Sequence, residues 1–79
     1  MHRRMNPSKP KLSVREQSVL ELLSEGLTVP VIAKRLYISE STAKTYVSKL
    51  YEKLGASNRS QALVEAVRLG LLKVPAHGR

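Results

Sequence analysis

Apolar residues recur every three or four positions in four successive blocks of this chain, and each block is bounded by residues that start and stop helices. In the first block Leu12, Val19, Leu20 and Leu23 fall on one stripe. Ser13-Val14-Arg15-Glu16 has capping-box spacing, in which hydroxyl and carboxylate each satisfy a backbone N–H left free at a helix start. Gly26 suits the left-handed conformation that ends a helix, so the pattern predicts a helix over residues 13–25. Thr28 and Pro30 predict a second, short helix over 29–37, because a hydroxyl caps the first turn and a proline there lacks an N–H that would go unpaired. Its inward face is Ile32, Ala33 and Leu36. Ser39 is placed to cap a third helix over 39–54, and Ile38 to staple onto Ala43 across its first turn. Ala43, Val47, Leu50 and Leu54 form its narrow apolar stripe, with Gly55 as terminator. Asn58 and Gln61 repeat the capping logic for a fourth helix over 58–69, which turns Ala62, Leu63, Ala66 and Leu69 inward and stops near Gly70. No strand, internal repeat or low-complexity stretch is called for, so the expected class is all-α, a four-helix bundle-like helix-turn-helix domain.

The helix-turn-helix assignment follows from the second and third blocks. Two short helices are joined by a tight turn, and the second presents small polar and basic groups outward. Where such helices cross, the backbones approach closely and only a small side chain fits, which accounts for Ala33 between Ile32 and Leu36. The turn holds Tyr37 where glycine is common. Opposite its apolar stripe the third helix carries Ser41, Lys44, Thr45, Ser48 and Lys49, and Glu52 is the acidic residue that closes this face three turns in.

Charge gives that face a direction. The chain has 14 Lys plus Arg against 6 Asp plus Glu, a net +8, and so projects a positive field toward a polyanion. Arg15 to Glu25 is net acidic, whereas basic residues gather from Arg3 to Lys11 and from Lys34 onward, so one side is expected to face the ligand. With 79 residues there is room for one small domain with a thin core, which disfavours a cleft between lobes. Residues 1–11, polar with two prolines, read as a flexible basic arm or linker, 12–73 as the domain and 74–79 as a C-terminal tail. Absence of cysteine excludes disulfides and thiolate metal sites. His2 and His77 fall in the expected tails, no Ser-His-acid set can be placed, and no glycine-rich phosphate loop is present. Neither enzyme activity nor a metal or cofactor is therefore expected. No apolar run reaches the roughly 20 residues of a membrane span, and the first residues lack a signal-peptide core, so a cytoplasmic location is expected.

The chain also resembles a known family. Leu12-Ser13-Val14-Arg15-Glu16, Val19-Leu20-Glu21-Leu22-Leu23, Glu25-Gly26-Leu27-Thr28, Ile32-Ala33, Ile38-Ser39, Thr42-Ala43-Lys44-Thr45 and Lys53-Leu54-Gly55 occur in order with the right gaps. Together they resemble the LuxR-type effector domain of bacterial transcription regulators, also called NarL/FixJ- or GerE-like, from Leu12 to Leu72. The resemblance implies a four-helix domain, sequence-specific binding to double-stranded DNA as a homodimer on two half-sites, and commonly an N-terminal receiver or ligand-sensing domain in the parent protein. Three positions depart from the family pattern: Val31 replaces the usual Glu, Ala43 the usual Val, and Tyr46 the frequent His.

The resemblance places base-edge contacts at Lys44, Thr45 and Ser48, and their chemistry agrees. Lysine donates to guanine O6 and N7, threonine offers a methyl to thymine, and serine donates or accepts. Hydroxyls and backbone N–H groups at helix starts bind phosphate, which makes Thr28, Thr42 and the turn after Ser39 positioning candidates, with a capping role as the alternative for Thr42. Lys49 and Arg59 offer charge beside the groove, although a solvated face is the plainer reading of Lys49 and Lys53. Tyr46 suits either a phosphate contact or packing on the second helix. On the fourth helix Val64 and Val67 extend the apolar arc beyond what the core needs, the mark of a two-fold dimer seam or of packing against the arm or another domain. A protein-interaction module that binds a regulator or RNA polymerase is the competing class, and RNA is a third, disfavoured by the lack of an exposed aromatic platform.

Overall fold

The computed structural model describes residues 10–73. The expected tail at 74–79 and most of the expected arm, with His2, Arg3, Arg4 and His77, lie outside the described residues. Four helices follow in order: α1 (Val14–Ser24), α2 (Val29–Leu36), α3 (Glu40–Leu54) and α4 (Arg59–Arg68), with no strand among the described residues. Local hydrogen bonds explain the agreement with the expected spans. Ser13 Oγ accepts from the Glu16 N–H at 3.1 Å while Glu16 Oε1 accepts from the Ser13 N–H at 2.9 Å, the complete capping box. Ser39 Oγ accepts from the Thr42 N–H and Asn58 Oδ1 from the Gln61 N–H.

Two caps differ from expectation. Thr28 is the N-cap of α2, but its hydroxyl makes no capping bond. An N-cap oxygen reaches the second or third helical N–H, and Pro30 removes one of the two. Gln61 Oε1 accepts from Ser57 N–H at 2.6 Å, so the bond back from α4 lands one residue before the cap. Gly26 and Gly55 take the left-handed conformation at the ends of α1 and α3. Tyr37 takes the same conformation at φ 58°, ψ 44°, with a side chain that is 95% exposed.

The core joins Val19, Leu20 and Leu23 of α1, Ile32 of α2, Val47, Leu50 and Leu54 of α3, and Ala62 and Ala66 of α4. Leu12, Leu36, Leu63 and Leu69 pack against it half-buried. Because α3 packs on all three other helices, its narrow apolar stripe is consumed by the core and its polar side is left open. Ala33 and Ala43 are buried on the two packed helices of the helix-turn-helix, as close backbone approach requires.

Long polar side chains tie the helices together. Arg15 Nη1 donates to Leu36 O at the end of α2, and Arg59 Nη2 to Leu23 O near the end of α1. Leu36 O is one of the carbonyls that a helix end leaves open, whereas Leu23 O also accepts from the Gly26 N–H at 3.0 Å. Lys53 corrects the expectation of a solvated side chain: its Nζ lies 2.7 Å from Glu16 Oε1 and donates to Lys11 O at 3.0 Å. Glu16 is 5% exposed, and a carboxylate so placed needs a charged partner. The hydrogen bond from Lys53, followed by that from the Ser13 backbone, holds the Glu16 carboxyl below its ordinary pKa.

Candidate nucleic-acid interface

The first turn of α3 begins with three linked hydroxyls. Ser39 Oγ accepts the Thr42 N–H, donates to Thr42 Oγ1 at 2.9 Å and meets Ser41 Oγ at 3.1 Å. With the Ser39 proton directed at Thr42, the Thr42 O–H remains free to donate outward. One turn later Thr45 Oγ1 donates to Ser41 O at 3.0 Å, which pins the side chain and leaves its methyl as the free branch. Lys44, Ser48 and Lys49 are exposed. Among the described residues the ion pairs are Lys53–Glu16 and Arg68–Glu65, so Lys44 and Lys49 have no acidic partner.

Lys44, Thr45, Ser48 and Lys49 share one open groove of about 540 Å³ with Tyr51, Glu52 and Ala56. It therefore unites the three expected base readers with Lys49. Thr42 lies one turn earlier on the same helix, and Thr28 stands exposed at the start of α2 with its hydroxyl uncommitted to a cap. Tyr46 is half-buried and packs against the core. Arg59 is half-buried with one arm of its guanidinium on Leu23 O, outside the groove. On α4, Val64 is 62% exposed and Val67 half-buried.

Glu52 lines the groove as the acid expected to close this face, and Tyr51 and Ala56 are groove residues that sequence reasoning did not assign. The spacing held the signal for Tyr51, which follows Ser48 by three positions that share a helix face. Ala56 lies beyond the end of α3 and becomes a lining residue only through the left-handed turn at Gly55. Glu40 is also exposed, one turn before Lys44, which confines the acid-free stretch to residues 41–51. Among the described residues no three His, Cys, Asp or Glu side chains group to hold a metal, and no helix is long and apolar enough to cross a membrane.

The profile of the luxR family of bacterial regulatory proteins matches residues 10–66. The chain belongs to that family. This luxR-family domain is 46% identical over 67 residues to the spore germination protein GerE of Bacillus subtilis, covering 85% of this chain and 90% of GerE. It is 47% identical over 72 residues to a probable transcriptional regulatory protein NarL of Mycobacterium tuberculosis, covering 91% of this chain and 33% of that protein. The domain thus spans about a third of that NarL. A solved structure of the transcription factor GerE matches with TM-score 0.73 at 40% identity, over 78% of this chain and 92% of GerE. The response regulator ChrA of a heme-sensing two-component system matches with TM-score 0.76 at 40% identity, over 78% of this chain and 31% of ChrA. The all-α helix-turn-helix architecture of this luxR-family domain is therefore shared with solved regulators.

Proposed function

We propose that this luxR-family domain binds double-stranded DNA sequence-specifically as the output module of a bacterial transcription regulator in the cytoplasm, with α3 in the major groove. One observation carries the proposal: Lys44 and Lys49, without acidic partners, converge with the Ser48 hydroxyl and the Thr45 methyl in one groove on the exposed face of α3. Lys44, Thr45 and Ser48 read base edges. Thr28, Thr42 and Lys49 bind phosphate and set register, and Tyr46 contributes its hydroxyl from a ring anchored in the core. Arg59 brings its remaining guanidinium nitrogens to the flank while one arm stays on Leu23 O. The module acts by binding and has no catalytic step of its own.

Two copies occupy paired half-sites through a seam at Val64 and Val67, because an exposed valine on a helix edged by Gln61, Glu65 and Arg68 has apolar area left to cover. Coverage of only a third of the NarL relative and of ChrA supports a receiver or ligand-sensing domain elsewhere in the parent protein. RNA polymerase is the further partner that a promoter-bound regulator meets. Duplexes selected by the protein from a random pool test the proposal. The expected outcome is an enriched short motif present twice, bound with a midpoint far below that of shuffled duplex. Equal midpoints and no enriched motif would overturn it in favour of a protein-interaction module.

A further inference from the structure

Glu52 is an acid on the face that is otherwise arranged for a polyanion. It lines the same groove as Lys44, Thr45, Ser48 and Lys49, and it is exposed. The stability of the domain does not account for it. Among the described residues it belongs to neither ion pair, since the adjacent Lys53 is engaged by Glu16. It stands in the last turn of α3, where the helix dipole disfavours negative charge, and Lys49 precedes it in the weaker order for a helical pair. Glu40 is the instructive contrast, because an acid in the first turn of α3 is favoured by that same dipole.

Position along the helix says what Glu52 faces. A recognition helix reads bases with its N-terminal residues. At a rise of about 1.5 Å per residue, Lys44, Thr45 and Ser48 lie within roughly 12 Å of the start of α3, comparable to the width of the major groove. Glu52 lies about 18 Å along, and with α3 docked as proposed above it would stand past the base edges and beside the bordering phosphates. Resting on the DNA-binding reading above, we propose that Glu52 repels the phosphate backbone and holds down sequence-independent affinity, so that occupancy depends on the base contacts of Lys44, Thr45 and Ser48. With Lys53 neutralised by Glu16, the groove meets DNA with Lys44 and Lys49 opposed by the Glu52 carboxylate, and attraction common to all sequences is restrained.

The test titrates wild type, Glu52→Gln and Glu52→Lys against a duplex selected by the protein and a shuffled duplex of equal length, across a salt series. Glu21→Gln on α1 serves as a control for net charge away from the groove. Glu52→Gln is expected to bind both duplexes about 3- to 10-fold more tightly at low salt, a gain that fades as salt screens the charge, and Glu52→Lys more tightly still. The ratio between selected and shuffled duplex should narrow for Glu52→Lys, while base preferences stay the same. Unchanged affinity, an equal gain in Glu21→Gln, or weaker binding with loss of preference for cytosine at one position would overturn the proposal; the last would make Glu52 a base reader. If wild type binds neither duplex, it is the DNA-binding reading that fails.

Discussion

Glu16 performs two tasks that the linear sequence separates. It closes the capping box of α1 with Ser13 and neutralises Lys53 from α3. The hydrogen bond from Lys53, and after it that from the Ser13 backbone, holds its carboxyl below the ordinary glutamate range, so its contribution to stability is complete above the unfolded pKa and is lost as pH falls through the folded one. Chemical denaturation from pH 7 to pH 3 should therefore show Glu16→Gln with a shallower loss of stability below about pH 4.5 than wild type. At pH 7 the variant should be less stable by about 1–2 kcal/mol, between an exposed pair and a fully buried one, because Lys53 is partly solvated. The capping half of this arrangement was legible because Ser13 and Glu16 are three residues apart. The ion pair was not, because it depends on how α1 is seated against α3 across 37 residues of sequence. Arg59 gives the same lesson: its charge suggested a phosphate contact, and only the packing of α4 against α1 shows one arm on Leu23 O. Tyr37, by contrast, was marked by the sequence as a tyrosine in a glycine place, and its left-handed backbone agrees. With the ring 95% exposed there is little packing to lose, so Tyr37→Gly should raise stability by about 0.5–1 kcal/mol in thermal or denaturant unfolding.

Among the elements, α3 was the most legible because its two periods agree. Ala43, Val47, Leu50 and Leu54 are all buried, and the opposite positions line the groove. Assignment within the groove is tested by a pair of substitutions. Lys44→Ala should cost about 1–3 kcal/mol of binding to the selected duplex and relax the preference at one base position, whereas Lys49→Ala should weaken all duplexes alike and lower the salt slope by about one. Identical selected motifs for wild type and Lys44→Ala would sink the base-reading role of Lys44. The start of α2 was legible in place but not in bonding. Thr28 and Pro30 predicted a capped first turn, yet a proline that spares an unpaired N–H also deprives the cap of a donor. The result is an exposed threonine hydroxyl at a helix start, uncommitted to a cap and so available for the phosphate contact proposed for it.

At the scale of the molecule, four helices and a small core leave one valine of α4 largely uncovered. The proposed seam at Val64 and Val67 would bury less than stable dimers need, so copies should pair mainly when adjacent half-sites bring them together. Val64→Asp should bind a single half-site nearly as wild type does and lose cooperative filling of a paired site, as read by titrating duplexes that carry one or two half-sites. Unchanged cooperativity would place the dimer face elsewhere. The Lys53 ammonium has a wider consequence. It grips the Lys11 carbonyl and the Glu16 carboxylate together, from the last turn of the helix proposed to lie in the groove. The stretch of backbone just ahead of α1 is thus stitched to the last turn of α3 through a single ammonium, a staple across 42 residues of sequence.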